Sequence, residues 1–255
     1  MKDRSTTLFY ILGSFFIANA ILAEFIGVKI FSLEGWLGLS PIKLSFFGEE
    51  NLSFNLTAGV LLWPVIFIMT DIINEYFGRS GVRFLSFTAA ALIAYAFLMV
   101  YFAIGLTPAD FWIERATSSG TVNMDQAFNV IFGQGLWIIF GSLVAFLIGQ
   151  LVDVKVFHYL RGFTGSSKIW LRATGSTLVS QFIDSFVVLF IAFYWGAGWD
   201  LSLVLAIGVV NYIYKFLIAV FLTPLLYVLH FFIDRFLGKE LSQKLIEEAA
   251  KSSRS

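Results

Sequence analysis

Three features of the sequence predict an all-α integral membrane protein, a bundle of six transmembrane helices with both termini in the cytoplasm. Hydrophobic residues make up 58% of the chain and charged residues only 13%, whereas about a quarter of a soluble domain is charged. The apolar residues fall into six runs, each near or above the roughly 20 residues that a helix needs to cross a bilayer. The basic residues lie mostly in alternate connections between those runs.

Helices are predicted because the backbone polar groups of a lipid-exposed segment must bond to one another. The predicted spans are 8–31, 52–77, 82–106, 128–154, 173–197 and 201–233. The first run is longer than a signal-peptide core and no small-residue cleavage site follows it, so we expect it to be retained. The chain is thus divided into a transmembrane domain, 1–238, and a cytoplasmic tail, 239–255, which is expected to form a short amphipathic helix.

The distribution of basic residues predicts the orientation of the spans. Thirteen of the 17 Lys and Arg residues lie in the two terminal tails and in the connections after the second and fourth spans. Only Lys43 and Arg115 lie in the opposite connections. Positive charge marks the cytoplasmic side, so both termini are predicted to be cytoplasmic. The outer connections, 32–51 and 107–127, are expected to form short interfacial helices.

Polar residues inside the apolar runs are the candidates for function. An ionisable residue at bilayer depth costs free energy, so it normally faces the bundle interior and a partner. Most of these residues are paired three or four positions apart, which places both members on one helix face. Five helices are therefore predicted to turn a polar face toward a common interior, and the third run carries no such group. The residues are Asn19, Glu24, Lys29, Asp71, Asn74, Glu75, Gln150, Asp153, Gln181, Asp184, Asn211 and Lys215.

Several of these residues also have a structural interpretation. Glu75 and Asp153 lie near span ends and could simply meet headgroup water. Gln150 and Asn74 could join packed helices through amide hydrogen bonds. These alternatives stay open at the level of the sequence.

Two further residues are open to two interpretations. Lys215 could serve only as the counter-ion of Asp184 or Glu24. Trp63 lies mid-span beside Pro64, where it either packs in the core or offers a stacking surface to a flat ligand. Asp184 lies deep in its span with Gln181 one turn away, and this pair favours a functional role.

Absent motifs exclude several classes of chemistry. The chain has no cysteine and only two histidines, His158 and His230. It contains no HExxH, GxSxG or Walker A pattern, and its net charge of zero does not indicate a nucleic-acid partner. We therefore predict no enzyme activity, no cofactor and no metal site. The predicted partners are the lipid bilayer and a small-molecule substrate, and the pattern predicts no particular oligomeric state.

The polar inventory of the spans indicates what that substrate offers. Carboxylates and amide carbonyls outnumber lysines, so a ligand rich in N–H donors fits best, and a cationic ligand is also permitted. A carboxylate can accept two parallel N–H donors from one planar edge. Trp63, Tyr212 or a phenylalanine could stack on a planar ring.

Four blocks occur in order along the last three-quarters of the chain: WPVIFIMTDIINEYFG (63–78), GQLVDVKVFHYLR (149–161), GSTLVSQFIDSFVVLFIAF (175–193) and NYIYKFLIAVFLTPLLY (211–227). Together they resemble the queuosine precursor transporter family, earlier described as a vitamin uptake transporter family. The resemblance implies a multi-pass protein of the bacterial cell inner membrane that imports 7-cyano-7-deazaguanine, 7-aminomethyl-7-deazaguanine or both. It marks Asp71, Gln150, Asp153, Asp184 and Lys215 as family positions.

The predicted site combines the family positions with the polar faces. Asp184 or Asp71 is predicted to bind the N1–H and amine edge of the ligand, Lys215 to balance charge or reach its carbonyl oxygen, and Glu24 to meet a cationic aminomethyl group. The predicted substrate-binding residues are Glu24, Trp63, Asp71, Gln150, Asp153, Gln181, Asp184, Asn211 and Lys215.

Two alternatives to a stand-alone carrier are retained. One is the substrate-binding subunit of an energy-coupling-factor vitamin importer, although the A-x-x-x-A docking pattern of its first helix is missed here, with Leu22 after Ala18 and Glu24 after Ala20. The other is a non-transport membrane protein whose polar core is structural.

Overall fold

The computed structural model describes residues 4–118, 120–133, 135–164 and 168–252, and most of them are helical. Within this part of the chain, five stretches are long and apolar enough to cross a membrane: Arg4–Ile26, Trp63–Ile104, Met124–Thr164, Ile169–Trp195 and Leu201–Leu237. The prediction of a helical, multi-pass membrane protein is therefore confirmed.

The helices are α1 (Arg4–Ile26), α2 (Leu33–Trp36), α3 (Trp63–Ile104), α4 (Asp110–Ile113), α5 (Met124–Phe132), α6 (Leu136–Thr164), α7 (Ile169–Leu189), α8 (Leu201–Leu237) and α9 (Lys239–Ser252). A 3-10 turn (Ala58–Leu61) precedes α3, and a π-helical segment (Phe190–Trp195) extends α7. The strands are β1 (Ile30–Ser32), β2 (Leu44–Phe46), β3 (Glu49–Leu52), β4 (Asn55–Thr57), β5 (Glu114–Thr117) and β6 (Gly120–Asn123).

Helix α3 is two antiparallel segments joined at Gly78. A straight helix of its 42 residues would be about 63 Å long, about twice the hydrocarbon thickness of a bilayer. Gly78 has φ 67° and ψ −168°, which breaks the helix. Thr70 and Ser86 lie at equal sequence distances on either side of Gly78, and both bond to Gln150 of α6. The second and third predicted spans therefore form a helical hairpin.

The backbone of Gly78 is accessible essentially only to glycine, so Gly78→Ala is expected to destabilise the hairpin by about 1–3 kcal/mol. Gly162 lies in α6 with open space around it, so Gly162→Ala is the matched control and should not destabilise. Detergent-titrated unfolding of the purified variants measures both. Equal stability of the two variants would contradict a fold-back at Gly78.

Two predicted spans begin too early. The predicted run 52–77 includes β4, whereas α3 begins at Trp63 with Pro64 in its first turn. Proline is accommodated at a helix start but breaks a helix interior, which explains the late beginning. The predicted run 128–154 includes the end of α5, which stops before Gly133, and α6 then continues past 154 to Thr164.

The first predicted span ends too late, because Ile30–Ser32 forms β1 rather than helix. Strand β1 pairs antiparallel with β4, as β2 does with β3 and β5 with β6. The connections after the first and third predicted spans thus contain the expected short helices, α2 and α4, together with strands that the prediction missed. Lys29, predicted inside the first span, lies just after α1.

Glu34 organises the connection between α1 and α3. Its carboxylate accepts the backbone N–H groups of Phe54 (2.9 Å) and Ile42 (3.4 Å) and the hydroxyl of Ser32 (3.4 Å). Burial acts to raise the pKa of Glu34, but these hydrogen bonds outweigh it, so the pKa lies below its usual value. The resulting layer packs Phe54 and Leu56 against Val210 and Tyr214 of α8.

The two ends of the transmembrane region meet at one end of the bundle. The Arg4 guanidinium, at the start of α1, donates to the Phe236 carbonyl near the end of α8 (3.1 Å). Helix α9 also lies at this end and packs Leu241, Leu245 and Ile246 against the main core. The start of α1, the end of α8 and helix α9 therefore lie at the same end of the bundle.

Candidate functional site

A cavity lies between the first segment of α3, the middle of α7 and α8. It contains about 540 Å³ of space free of protein atoms, part of it continuous with the surroundings. Its wall is largely apolar, and a few polar or aromatic side chains project into it, which is typical of a small-molecule site. These side chains are Trp63, Phe67, Asp71, Thr174, Thr177, Gln181, Tyr214, Lys215 and Thr223.

Aromatic rings form part of the cavity wall. Trp63 packs against Phe146, with ring centroids 5.7 Å apart, and it also lines the cavity. Tyr214 lines the cavity, whereas Tyr212, which the sequence suggested for stacking, packs against Phe182 at 5.1 Å. The aromatic residues of the cavity wall are therefore Trp63, Phe67 and Tyr214.

Asp71 is the carboxylate of the cavity wall. Asp71 is only 4% exposed. Its carboxylate accepts hydrogen bonds from the hydroxyls of Thr177 (3.3 Å) and Ser176 (3.5 Å) of α7. Helix α3 places Asp71 two turns after Trp63, so the carboxylate and the indole line the same cavity. Two neutral hydroxyls leave the carboxylate with capacity to accept N–H donors from a ligand.

Gln181 and Lys215 complete the polar wall. Gln181 is 3% exposed, and its side-chain oxygen has no hydrogen-bond partner among the described residues. The Lys215 ammonium donates to the Asp184 carboxylate at 2.6 Å. Asp184 therefore forms an ion pair with Lys215 but is not itself part of the cavity wall.

Four other predicted site residues also lie outside the cavity wall. Gln150 accepts the Thr70 hydroxyl (3.0 Å) and joins α6 to α3. Asp153 accepts the Ser180 hydroxyl (3.1 Å) and is fully buried. The carboxylate of Glu24 accepts a short hydrogen bond from Ser142. Asn211 is half-buried, one turn before Lys215.

Glu75 and Asp153 are both buried, so neither lies at the interface with headgroup water. Arg172 donates two hydrogen bonds to the Glu75 carboxylate, from Nη2 to Oε1 (2.7 Å) and from Nε to Oε2 (3.2 Å). Arg161 lies 3.7 Å from the same carboxylate and donates to the carbonyl of Ile246 in α9 (2.8 Å). These contacts explain why α6 and α7 extend beyond the predicted spans, since both arginines had been placed in a connection.

A second polar cluster, formed by Tyr76, His230, Asp234 and Ser242, lies at the same end of the bundle as Glu75 and α9. The Tyr76 hydroxyl donates to Asp234 (2.7 Å) and lies 2.9 Å from Nδ1 of His230. The hydroxyl has one hydrogen, so His230 must supply the proton of the second bond from Nδ1. Ser242 of α9 also donates to Asp234. Helix α9 is therefore tied to α3 and α8 through hydrogen bonds as well as apolar contacts.

The hydroxyls at 176, 177 and 180 were missed by the sequence reasoning, although a signal existed. They lie within about one turn of each other in an apolar helix that also carries Gln181 and Asp184. Small hydroxyl residues in membrane helices often bond across helix interfaces. No group of three or more His, Asp or Glu side chains suited to a metal occurs in the described part of the chain.

Comparison with known proteins agrees with the sequence resemblance. The profile of the family described as "Putative vitamin uptake transporter" matches residues 57–229. The "Probable queuosine precursor transporter" of Bacillus subtilis is 29% identical over 237 residues, 89% of this chain and 94% of the relative. The "Queuosine precursor transporter" of Escherichia coli is 31% identical over 185 residues, 70% of this chain and 74% of the relative.

A third relative, the "Probable queuosine precursor transporter" of Haemophilus influenzae, is 29% identical over 183 residues, 71% of each chain. No solved structure matches the chain. The profile match alone covers more than half of the chain, and it includes all three walls of the cavity. The chain therefore belongs to the vitamin uptake transporter family and is similar to these queuosine precursor transporters, and it is a transporter rather than an enzyme.

Proposed function

We propose that this protein imports queuosine precursors, 7-cyano-7-deazaguanine or 7-aminomethyl-7-deazaguanine, across the cell inner membrane. The relatives' names indicate the substrate class. The observation that carries the proposal is the cavity, which brings Trp63, Asp71, Gln181 and Lys215 together on three helices. A deazaguanine presents a flat ring, an edge of N–H donors and a carbonyl oxygen, and the cavity offers a complement to each.

In this proposal each of these side chains has its own role in binding. The Asp71 carboxylate accepts the parallel N–H donors of the guanine-like edge, the arrangement that makes bidentate carboxylate pairs specific. The free oxygen of Gln181 accepts a further ring or amine N–H. Lys215 donates to the ligand's carbonyl oxygen while Asp184 holds it. Trp63 and Tyr214 stack on the ring faces, a contact worth about 1–3 kcal/mol per base.

Six helical crossings with both termini in the cytoplasm are part of the proposal, as are a transporting domain of 1–238 and a tail of 239–255. Five described stretches are long enough to cross a membrane. One of them, α3, folds back at Gly78 and contributes two crossings, which supports a total of six. The contact of Arg4 with Phe236 supports termini on one side. The concentration of basic residues at that side supports a cytoplasmic location.

Uptake of labelled 7-cyano-7-deazaguanine into cells that lack its synthesis tests the proposal. Cells expressing the chain are expected to accumulate label, whereas cells with empty vector are not. Lys215→Met should reduce uptake, because it removes the donor to the ligand and leaves Asp184 without its counter-ion. Lys43→Met, in the exposed outer connection, is the matched control and should transport normally. Label no higher than in the vector cells would contradict the proposal.

A further inference from the structure

A second buried carboxylate lies directly behind the cavity carboxylate. Asp71 on α3 and Asp153 on α6 contact the same face of α7, where Ser176 and Thr177 bond to Asp71 and Ser180 bonds to Asp153. Ser176 also faces Asp153. Asp71 is 4% exposed and Asp153 is 0% exposed. Only Asp71 reaches the cavity.

No ion pair joins either carboxylate to a Lys, Arg or His in the described part of the chain. Lys215 pairs with Asp184, and Arg161 and Arg172 pair with Glu75. In addition, Oδ2 of Asp153 is buried and finds no hydrogen-bond donor in the described part of the chain. A bare carboxylate oxygen in this position is a site for a proton or another small cation.

Glu75 is matched by Arg161 and Arg172, whereas Asp71 and Asp153 contribute two negative charges that no ion pair among the described residues balances. Neighbouring carboxylates in a low-dielectric interior do not both stay ionised without compensation, and one proton on this pair of carboxylates removes their repulsion. Other titratable or charged residues on the packed helices include Glu24 on α1, Glu75, Tyr76 and Arg79 on α3, Lys155, His158 and Arg161 on α6, Arg172 and Asp184 on α7, and Lys215, His230 and Asp234 on α8.

We propose that Asp153 binds the proton whose movement down its gradient drives uptake, and that proton binding at Asp153 and substrate binding at Asp71 promote each other. This inference rests on the proposed function. Substrate N–H donors require an ionised Asp71, and an ionised Asp71 next to Asp153 favours the proton on Asp153. Binding linkage is reciprocal, so each ligand strengthens the other. One proton and one unchanged substrate enter together, and both are released on the inner side.

Asp153→Asn tests the coupling, since asparagine has the shape of the protonated acid but carries no transferable carboxyl proton. In proteoliposomes, accumulation of 7-cyano-7-deazaguanine driven by an imposed proton gradient should be lost, because ionisable residues inside the membrane carry the transported proton. Exchange of internal for external substrate, which needs no net proton movement, should fall much less. Asp110→Asn, on exposed α4, is the matched control and should accumulate substrate as the wild type does.

Three results would overturn the inference: accumulation by Asp153→Asn equal to the wild type, equal losses of accumulation and exchange, or wild-type accumulation that follows a sodium gradient instead of a proton gradient. Ser180→Ala serves as a second variant that keeps the carboxylate. It removes the hydroxyl that stabilises ionised Asp153, so gradient-driven uptake should persist to higher pH than in the wild type. An unchanged pH profile would also count against the inference.

A measurement without substrate separates this inference from the proposed function. Infrared spectra of the purified wild type at neutral pH should contain a carboxylic-acid C=O band that is missing from Asp153→Asn. Identical spectra would rule out a proton on Asp153. If the wild type neither binds nor transports a deazaguanine, the proposed function fails, and the infrared comparison still decides whether Asp153 holds a proton.

Discussion

Replacing Arg172 with alanine is expected to destabilise the protein by about 3–5 kcal/mol, the usual cost of removing one partner of a buried ion pair. Arg172 is 1% exposed and donates two hydrogen bonds to Glu75. The variant leaves Glu75 buried with only Arg161, 3.7 Å away. Because folded domains are stable by only about 5–15 kcal/mol, such a loss should be visible as a large drop in the yield of folded protein.

Detergent-titrated unfolding of the purified protein measures this loss, and Arg83→Ala is the matched control. Arg83 is exposed on α3, so its removal should change the free energy of unfolding by no more than about 0.5 kcal/mol. Adding Glu75→Gln to Arg172→Ala removes the uncompensated charge, so the double variant should be at least as stable as Arg172→Ala alone. Additive losses from the two substitutions would contradict a buried, mutually dependent pair.

Replacing Asp71 with alanine is expected to weaken the binding of 7-cyano-7-deazaguanine by about 100-fold or more. The reason is the loss of two hydrogen bonds to a charged acceptor, each contributing about 1.5–3 kcal/mol, with 1.4 kcal/mol for each factor of ten. Titration calorimetry of the purified variant measures the change. Asp110→Ala, at an exposed aspartate of α4, should bind like the wild type.

A ligand change tests the same contact from the other side. The wild type should bind the matching deazapurine without the exocyclic amine at least about tenfold more weakly, the share of one such hydrogen bond. In Asp71→Ala this preference should largely disappear, because the acceptor of the amine is missing. If Asp71→Ala kept the full preference for the ligand with the exocyclic amine, a residue other than Asp71 would accept the hydrogen bond from that amine.

The class of the fold could be predicted from the sequence because lipid imposes strong constraints. Long apolar runs and alternate basic connections led to a helical, multi-pass membrane protein, and the structure agrees. The boundaries were less predictable, because hydrophobicity alone does not separate a buried strand from a helix start. The start of α3 at Trp63 and Pro64 shows this, since the apolar residues Val60, Leu61 and Leu62 come directly before it without belonging to it.

The cavity was predicted in part. Spacing placed Asp71, Gln181 and Lys215 on inward faces, and all three line the cavity. The separation of Asp153 from the cavity, and the pairing of Glu75 with arginines assigned to a connection, depend on how far α6 and α7 extend. Helix rotation and length are set by packing between helices, so a single sequence with no partner contacts does not specify them.

Thermal unfolding of the purified protein against a panel of purines and deazapurines tests the central claim most directly. A bound ligand stabilises the folded state in proportion to its concentration relative to its Kd. We predict that 7-cyano-7-deazaguanine or its 7-aminomethyl form raises the unfolding midpoint, whereas adenine and the analogue without the exocyclic amine do so much less. A panel in which neither deazaguanine raises the midpoint, or in which adenine raises it equally, would contradict a cavity built for queuosine precursors.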